Sequence, residues 1–151
     1  MPLKVGDFAP EFEGKDQEGK VRRLSDFKGR HIVLYFYPKD ETPHCIKEAC
    51  SFRDENEKFK EIGADVIGIS VDSLESHRKF AGKHGLNFTL IADLDKDISR
   101  RYGTLNFLGR SKRVTFIIDD KGIIRHIYPK VNARNHAEEV LAKLKEIKGV
   151  M

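Results

Sequence analysis

The sequence predicts a single α/β domain over residues 1–151, a central mixed sheet flanked by helices and preceded by an N-terminal hairpin. Three observations predict it. Two continuous apolar and β-branched runs, 31–37 and 66–71, read as strands covered on both faces. Each is followed by a stretch with helical spacing, and such crossovers make successive strands parallel. A late pair of apolar runs flanks Asp119-Asp120-Lys121-Gly122, which has the turn chemistry of a hairpin. With 151 residues, 39% of them hydrophobic, the chain can bury one core of ordinary size.

Taken in order, Phe12 to Leu24 read as a short hairpin around Asp16-Gln17-Glu18-Gly19. The strand His31 to Tyr37 is ended by Pro38. Thr42 and Pro43 open a helix, Thr as N-cap and Pro in the first turn. That helix runs through Ala49, Phe52 and Phe59 towards Gly63, with a break near Asn56. After the second buried strand, Asp72 and Glu75 form a capping box. The next helix carries Leu74, Phe80 and Ala81 and stops at Gly85. Phe88 to Ala92 form a third strand and Asp95 to Tyr102 a short helix. The late hairpin pairs 114–118 with 123–128. The last helix places Ala137, Val140, Leu141, Leu144 and Ile147 on one face, capped by Asn135 with Glu138 and ended by Gly149. This order of elements is that of a thioredoxin-like fold.

Charge narrows the function classes. Lys and Arg number 28 against 24 Asp and Glu, a net charge of only +4, and the two signs are interleaved, as in Lys58-Phe59-Lys60-Glu61. Without a run of like charges this reads as a solvated surface, and no nucleic-acid partner is expected. Met1 to Asp7 contain no apolar run and no stretch approaches membrane-span length, so neither signal peptide nor membrane association is expected. The expected location is the cytoplasm. Two cysteines there are reactive or metal-binding rather than a permanent staple.

The chemistry concentrates between Tyr35 and Cys50. Cys45 follows a buried strand and lies in the first turn of a helix, where free backbone N–H groups and the helix dipole favour an anion such as a thiolate. Thr42, three residues earlier, can direct its hydroxyl at the amide or sulfur of Cys45, accepting from one group while donating to another. The bland alternative, a small buried core cysteine, fits poorly with a strand–helix junction. Cys50 lies five residues on, which places the two Cα atoms about 8.7 Å apart on an ideal helix. A disulfide spans no more than about 7 Å. The thiols can therefore join only if the first turns unwind. Cys50 also reads as a buried helix residue. A metal site made of His44, Cys45 and Cys50 lacks the tight pairs and fourfold sets of zinc centres, and no metal or other cofactor is expected.

The motif Pro38-x-x-x-Thr42-x-x-Cys45 resembles the active-site motif of the peroxiredoxins. The strings Tyr-Phe-Tyr-Pro-Lys-Asp, Thr-Pro-x-Cys, Lys-Glu-Ala-Cys and Phe52-Arg53-Asp54 resemble the bacterioferritin-comigratory-protein or peroxiredoxin Q class. So do Gly6 to Phe12 and Arg113 to Asp119. The resemblance implies a thiol-dependent peroxidase acting on hydrogen peroxide and organic hydroperoxides. Cys45 would become a sulfenic acid and Cys50 would condense with it within one subunit. Thioredoxin or a similar dithiol would reduce the disulfide. It further implies that Arg113 holds Cys45 ionised and polarises the O–O bond, that Pro38 shields the site from water, and that Glu48 joins the hydrogen-bond network. Read alone, Arg113 is a solvated strand-end residue and Glu48 an exposed helix residue. His44 and Ile46 depart from the Gly and Thr common in the class. A monomer is expected, since Cys50 can resolve in cis. His31, His77, His84, His126 and His136 read as surface or sheet-edge groups without a role.

Two rival readings use other features. A thiol–disulfide oxidoreductase on the same fold wants Cys-x-x-Cys at the helix start, but Thr42 occupies the first position. No counterpart of that group's cis-proline precedes Val114. A non-enzymatic binding or holdase domain makes no demand on Thr42 or Arg113.

Overall fold

The computed structural model describes residues 3–149. Met1 and Pro2, which open the segment read for a leader, lie outside the described residues. Seven strands form one sheet in the order β2-β1-β5-β4-β3-β6-β7. They are β1 (Glu13–Asp16), β2 (Val21–Arg23), β3 (His31–Phe36), β4 (Ala64–Ser70), β5 (Thr89–Ala92), β6 (Val114–Ile118) and β7 (Ile124–Tyr128). The helices are α1 (Pro43–Glu61), α2 (Leu74–His84), α3 (Asp97–Arg101) and α4 (His136–Lys148). Strands β3, β4 and β5 run parallel, as crossovers through α1 and α2 require. The β6–β7 hairpin adds antiparallel to β3, and the N-terminal hairpin adds antiparallel to β5.

Period-two alternation sorts the core into two layers. Val33, Tyr35 and Tyr37 face α1, α2 and α4 with Phe52, Phe59, Phe80 and Val140. Ile32, Leu34 and Phe36 face the other side with Ile98, Tyr102 and Phe116. All six residues of β3 are buried, which is why the run contains no polar alternation. Gly68 of β4 lies beneath the Tyr35 ring. A Cβ there would come within 2.8 Å of Tyr35 Cζ and 2.9 Å of Leu90 Cδ2. Only glycine lets that ring lie down, and it stacks on Phe52 at 4.7 Å between centroids.

Helix α1 shows how the site is aimed. Its buried residues, Cys45, Glu48, Ala49, Phe52, Asn56 and Phe59, recur at helical spacing and form one face. The expected break near Asn56 does not occur. The Asn56 amide donates sideways to the Asn87 carbonyl at 2.9 Å, leaving the helix intact to Glu61. The expected capping box on α2 is also replaced. Ser73 is the N-cap and accepts from the Ser76 amide at 3.1 Å, while Asp72 is drawn off to the Asp40 amide. Asn135 precedes α4 without a side-chain cap, and His136 pairs with Glu139 instead of Asn135 pairing with Glu138.

Candidate active site

Val114 pairs with Phe36, so Arg113 stands at the end of β3 where the chain turns into α1. Thr42 is the N-cap residue and the Ile46 amide donates to its carbonyl at 2.9 Å. Its hydroxyl, which the sequence directs at the amide or sulfur of Cys45, instead donates back to the Lys39 carbonyl at 2.9 Å and closes the preceding turn. Pro38 lies half-buried directly after Tyr37. Cys45 sits on the inward face of α1 with 1% of its surface exposed.

Arg113 reaches that sulfur. Its Nη2 donates to Cys45 Sγ at 3.1 Å and its Nη1 to Glu48 Oε1 at 2.7 Å. The solvated-residue readings of Arg113 and Glu48 therefore do not apply. Glu48 is fully buried, and one helical turn separates it from Cys45 on the same face. Burial pushes the Glu48 carboxyl up to about 7, although the Arg113 guanidinium pulls it back. Burial also works against the Arg113 charge, but Glu48 and Cys45 outweigh it and hold the guanidinium above its ordinary range. Behind them lies Tyr35, whose hydroxyl burial and the nearby Glu48 and Cys45 push well up. The Tyr35 hydroxyl and Glu48 Oε2 are buried without a protein partner among the described residues.

The Glu48 midpoint has a consequence for stability. It is raised from 4.5 to about 7 on folding, so the folded state loses stability as pH rises through that window. Glu48→Gln keeps an acceptor for Arg113 and removes the titration. The variant should match the wild type at pH 4.5 and be more stable at pH 8 by about 3 kcal/mol, from roughly 1.4 kcal/mol per unit. Urea unfolding at the two pH values checks this. A difference independent of pH would contradict the assignment.

Cys50 is half-buried and lies about 140° round the helix from Cys45. It borders a groove of about 450 Å³ lined by Lys47, Asp54, Arg134 and Glu138. Both cysteines are free thiols. His44 is exposed and Ile46 packs on the core, so His44, Cys45 and Cys50 do not converge on a common point.

Of the five histidines expected at the surface or sheet edge, His84 and His126 are partly exposed, His126 on the edge strand β7, but the other three are buried. His77 and His136 are fully buried and His31 nearly so. Ring nitrogens of His136 meet Thr115 Oγ1 at 2.7 Å and Glu139 Oε1 at 2.8 Å. Those of His77 meet Asp40 Oδ2 at 2.7 Å and the Ile91 carbonyl at 3.0 Å. Their partners are remote in sequence apart from Glu139. The His136–Glu139 spacing of three residues at a helix start was the one local signal available. Asp40, Asp72 and His77 have their ligand-type atoms within 4.8 Å of one another. Both Asp40 oxygens and both His77 nitrogens are already hydrogen-bonded, so the group is a polar network.

A model of the AhpC/TSA family matches residues 5–127. This chain belongs to that family. Peroxiredoxin Bcp of Escherichia coli (strain K12) is 41% identical over 152 residues, spanning 96% of this chain and 97% of the relative. The chloroplastic peroxiredoxin Q of Sedum lineare is 44% identical, spanning 95% of this chain and 78% of the relative. Among solved structures, a cysteine-to-serine mutant of Xylella fastidiosa PrxQ superposes with a TM-score of 0.93 at 31% identity, covering 98% of this chain and 99% of that one. The Xanthomonas campestris bacterioferritin comigratory protein, whose alkyl peroxide reduction activity was studied through a trapped intermediate and ligand complexes, matches with a TM-score of 0.86 at 31% identity, covering 90% of this chain and 91% of that one. The chain is thus a peroxiredoxin with the thioredoxin-like fold, a thiol-dependent peroxidase. Peroxiredoxins act on hydroperoxides and are recycled by thioredoxin-like reductants. No described helix is long and apolar enough to cross a membrane.

Proposed function

We propose that Cys45 is the thiol that attacks the peroxide and Cys50 the thiol that resolves the product, within one subunit. The Cys45 thiolate attacks the terminal oxygen of R–O–O–H. The S–O bond forms, the O–O bond breaks, sulfur is oxidised to the sulfenic acid, and the leaving RO⁻ takes a proton to become ROH. The Cys50 thiol condenses with Cys45–SOH, forming the disulfide and releasing water. A thioredoxin-type dithiol then reduces it by exchange.

One observation carries this reading: a single guanidinium is hydrogen-bonded to Cys45 Sγ at 3.1 Å and fixed from behind by buried Glu48 at 2.7 Å. A cation so held stands where negative charge shifts onto the leaving oxygen. Thr42 gives its hydrogen to the Lys39 carbonyl, which leaves its oxygen lone pairs free to accept the peroxide O–H. Pro38 shields the sulfur from water. The substrates are hydrogen peroxide and organic hydroperoxides; the alkyl peroxide reduction activity of the Xanthomonas relative supports the second. The protein works as a monomeric single domain in the cytoplasm, without a cofactor, membrane or nucleic acid.

The test follows the sulfurs. Reduced wild type treated with one equivalent of hydrogen peroxide should lose both thiols and two hydrogens of mass. Cys50→Ser should consume one peroxide and stop at the sulfenic acid or overoxidise. Amides of residues 46–50 should exchange slowly when reduced and much faster when oxidised, because the helix must open for the sulfurs to meet. Equal protection in both states, or a Cys50→Ser enzyme that turns over like wild type, would overturn the cis disulfide.

A further inference from the structure

The turn that delivers Cys45 is held from outside itself. Glu41 has φ 64°, a left-handed backbone that a side chain-bearing residue seldom adopts, and it immediately precedes the N-cap of α1. Thr42 lends the helix no side-chain cap. Within the turn the Thr42 hydroxyl bonds the Lys39 carbonyl, but that bond does not touch Glu41 itself. Helix α2 supplies what is missing through two adjacent clamps.

The first clamp is buried. Asp40 is 4% exposed and His77 is fully enclosed. Asp40 Oδ1 accepts from the Tyr37 hydroxyl at 2.6 Å. Its Oδ2 accepts from Ser76 Oγ at 2.8 Å and lies 2.7 Å from His77 Nδ1. The Asp40 amide donates to Asp72 at 2.9 Å. Because His77 Nε2 faces a carbonyl, that of Ile91, it must carry a hydrogen. The Nδ1–Asp40 contact therefore needs one more proton, shared between carboxylate and ring. The second clamp is at the surface, where Glu41 accepts from Lys83 Nζ at 3.1 Å and pairs with His84 Nε2 at 2.9 Å.

We propose that Asp40 and Glu41 are positioning residues: anchored on α2, they hold a left-handed turn that fixes the start of α1, and so the place of Cys45, for attack on peroxide. This inference rests on Cys45 being the attacking thiol. Neither residue touches the reacting atoms. The same anchorage opposes the second step, because condensation with Cys50 needs the start of α1 to open. Loosening a clamp therefore changes the two steps in opposite directions, whereas a general loss of structure slows both.

The experiment compares Glu41→Ala with Glu41→Gly, and Asp40→Ala with Asp40→Asn. Alanine at position 41 removes the clamp and keeps the backbone penalty; glycine removes both. Asparagine at position 40 can donate from its amide to His77 Nδ1 while Nε2–H stays on Ile91; alanine cannot. Rapid quenching with a thiol-alkylating reagent and mass analysis separate sulfenic acid formation from disulfide formation. Glu41→Ala should slow the first step about tenfold and speed the second several-fold, and Glu41→Gly should recover most of the first. Asp40→Ala should act like Glu41→Ala, with Asp40→Asn within about threefold of wild type. Amide exchange at residues 40–46 of the reduced variants should follow the same order. This readout is independent of peroxide, so it judges the clamp even if Cys45 proves not to be the attacking thiol. Equal rates for Glu41→Ala and Glu41→Gly, both steps slowing together, or unchanged exchange across 40–46 would overturn the proposal. The surface pair keeps the test decisive if the Asp40 variants fail to fold.

Discussion

Cys45→Ser should be inert towards hydroperoxides, with the peroxide-consuming rate down by a factor on the order of 10⁴ or more. The substitution exchanges sulfur for oxygen at a position 1% exposed, on the helix face that also carries Phe52 and shares a core cluster with Tyr35. Arg113 Nη2 can still donate to the smaller oxygen, so no buried donor is stranded. The fold should survive with a melting temperature within a few degrees of wild type. What disappears is the nucleophile: an alcohol at neutral pH supplies almost no anion, and oxygen lacks the reactivity that drives attack on O–O. Stopped-flow peroxide consumption checks this, with circular dichroism as control for folding. A folded serine variant that turned over with Cys50 alone would relocate the chemistry to the other sulfur.

The second large effect concerns Arg113. Arg113→Ala should slow sulfenic acid formation by about 10²–10³, the usual loss when one fixed donor to a developing negative charge is removed. Its effect on stability depends on pH. The guanidinium is the main group drawing the Glu48 midpoint back down to about 7, so without it that buried carboxyl moves further up. A carboxyl raised on folding stabilises at acidic pH and costs stability as pH climbs towards its folded midpoint. The variant should therefore melt close to wild type at pH 6 and well below it at pH 9. Arg113→Lys should restore little, because one ammonium cannot span the Cys45 sulfur and the Glu48 oxygen as the two arms of the guanidinium do. A variant retaining the wild-type rate of sulfenic acid formation would remove Arg113 from the chemistry.

The strand His31–Phe36 was legible because burial on both faces leaves an unbroken apolar run, and α1 because Thr42-Pro43 announces a helix start. Cys45 was legible from its place at that junction. Arg113 was legible only through resemblance to a family, since it meets a residue 68 positions away and nothing near Lys112-Arg113-Val114 signals a partner. The same distance hid His77, whose Asp40 partner lies 37 positions back. A lone histidine at helical spacing carries no mark of burial when the group that satisfies it comes from another element. The caps failed for a different reason. Asp72 and Ser73 are both good N-caps, and the choice fell to Ser73 because Asp72 was needed by the Asp40 amide, a tertiary demand.

Gly68 has a wider meaning than the ring it accommodates. By surrendering its own side chain it lets a tyrosine fill the space beneath α1, and that tyrosine holds an oxygen with no protein partner among the described residues near Cys45 and Glu48. The place of the Tyr35 hydroxyl near Cys45 and Glu48 is thus set by a strand two elements further along the chain than the one bearing the ring. Any larger residue there would meet the Tyr35 ring and Leu90 and force one of them to shift. A mutational survey confined to amino acids beside the sulfur would overlook the position that decides where this oxygen sits.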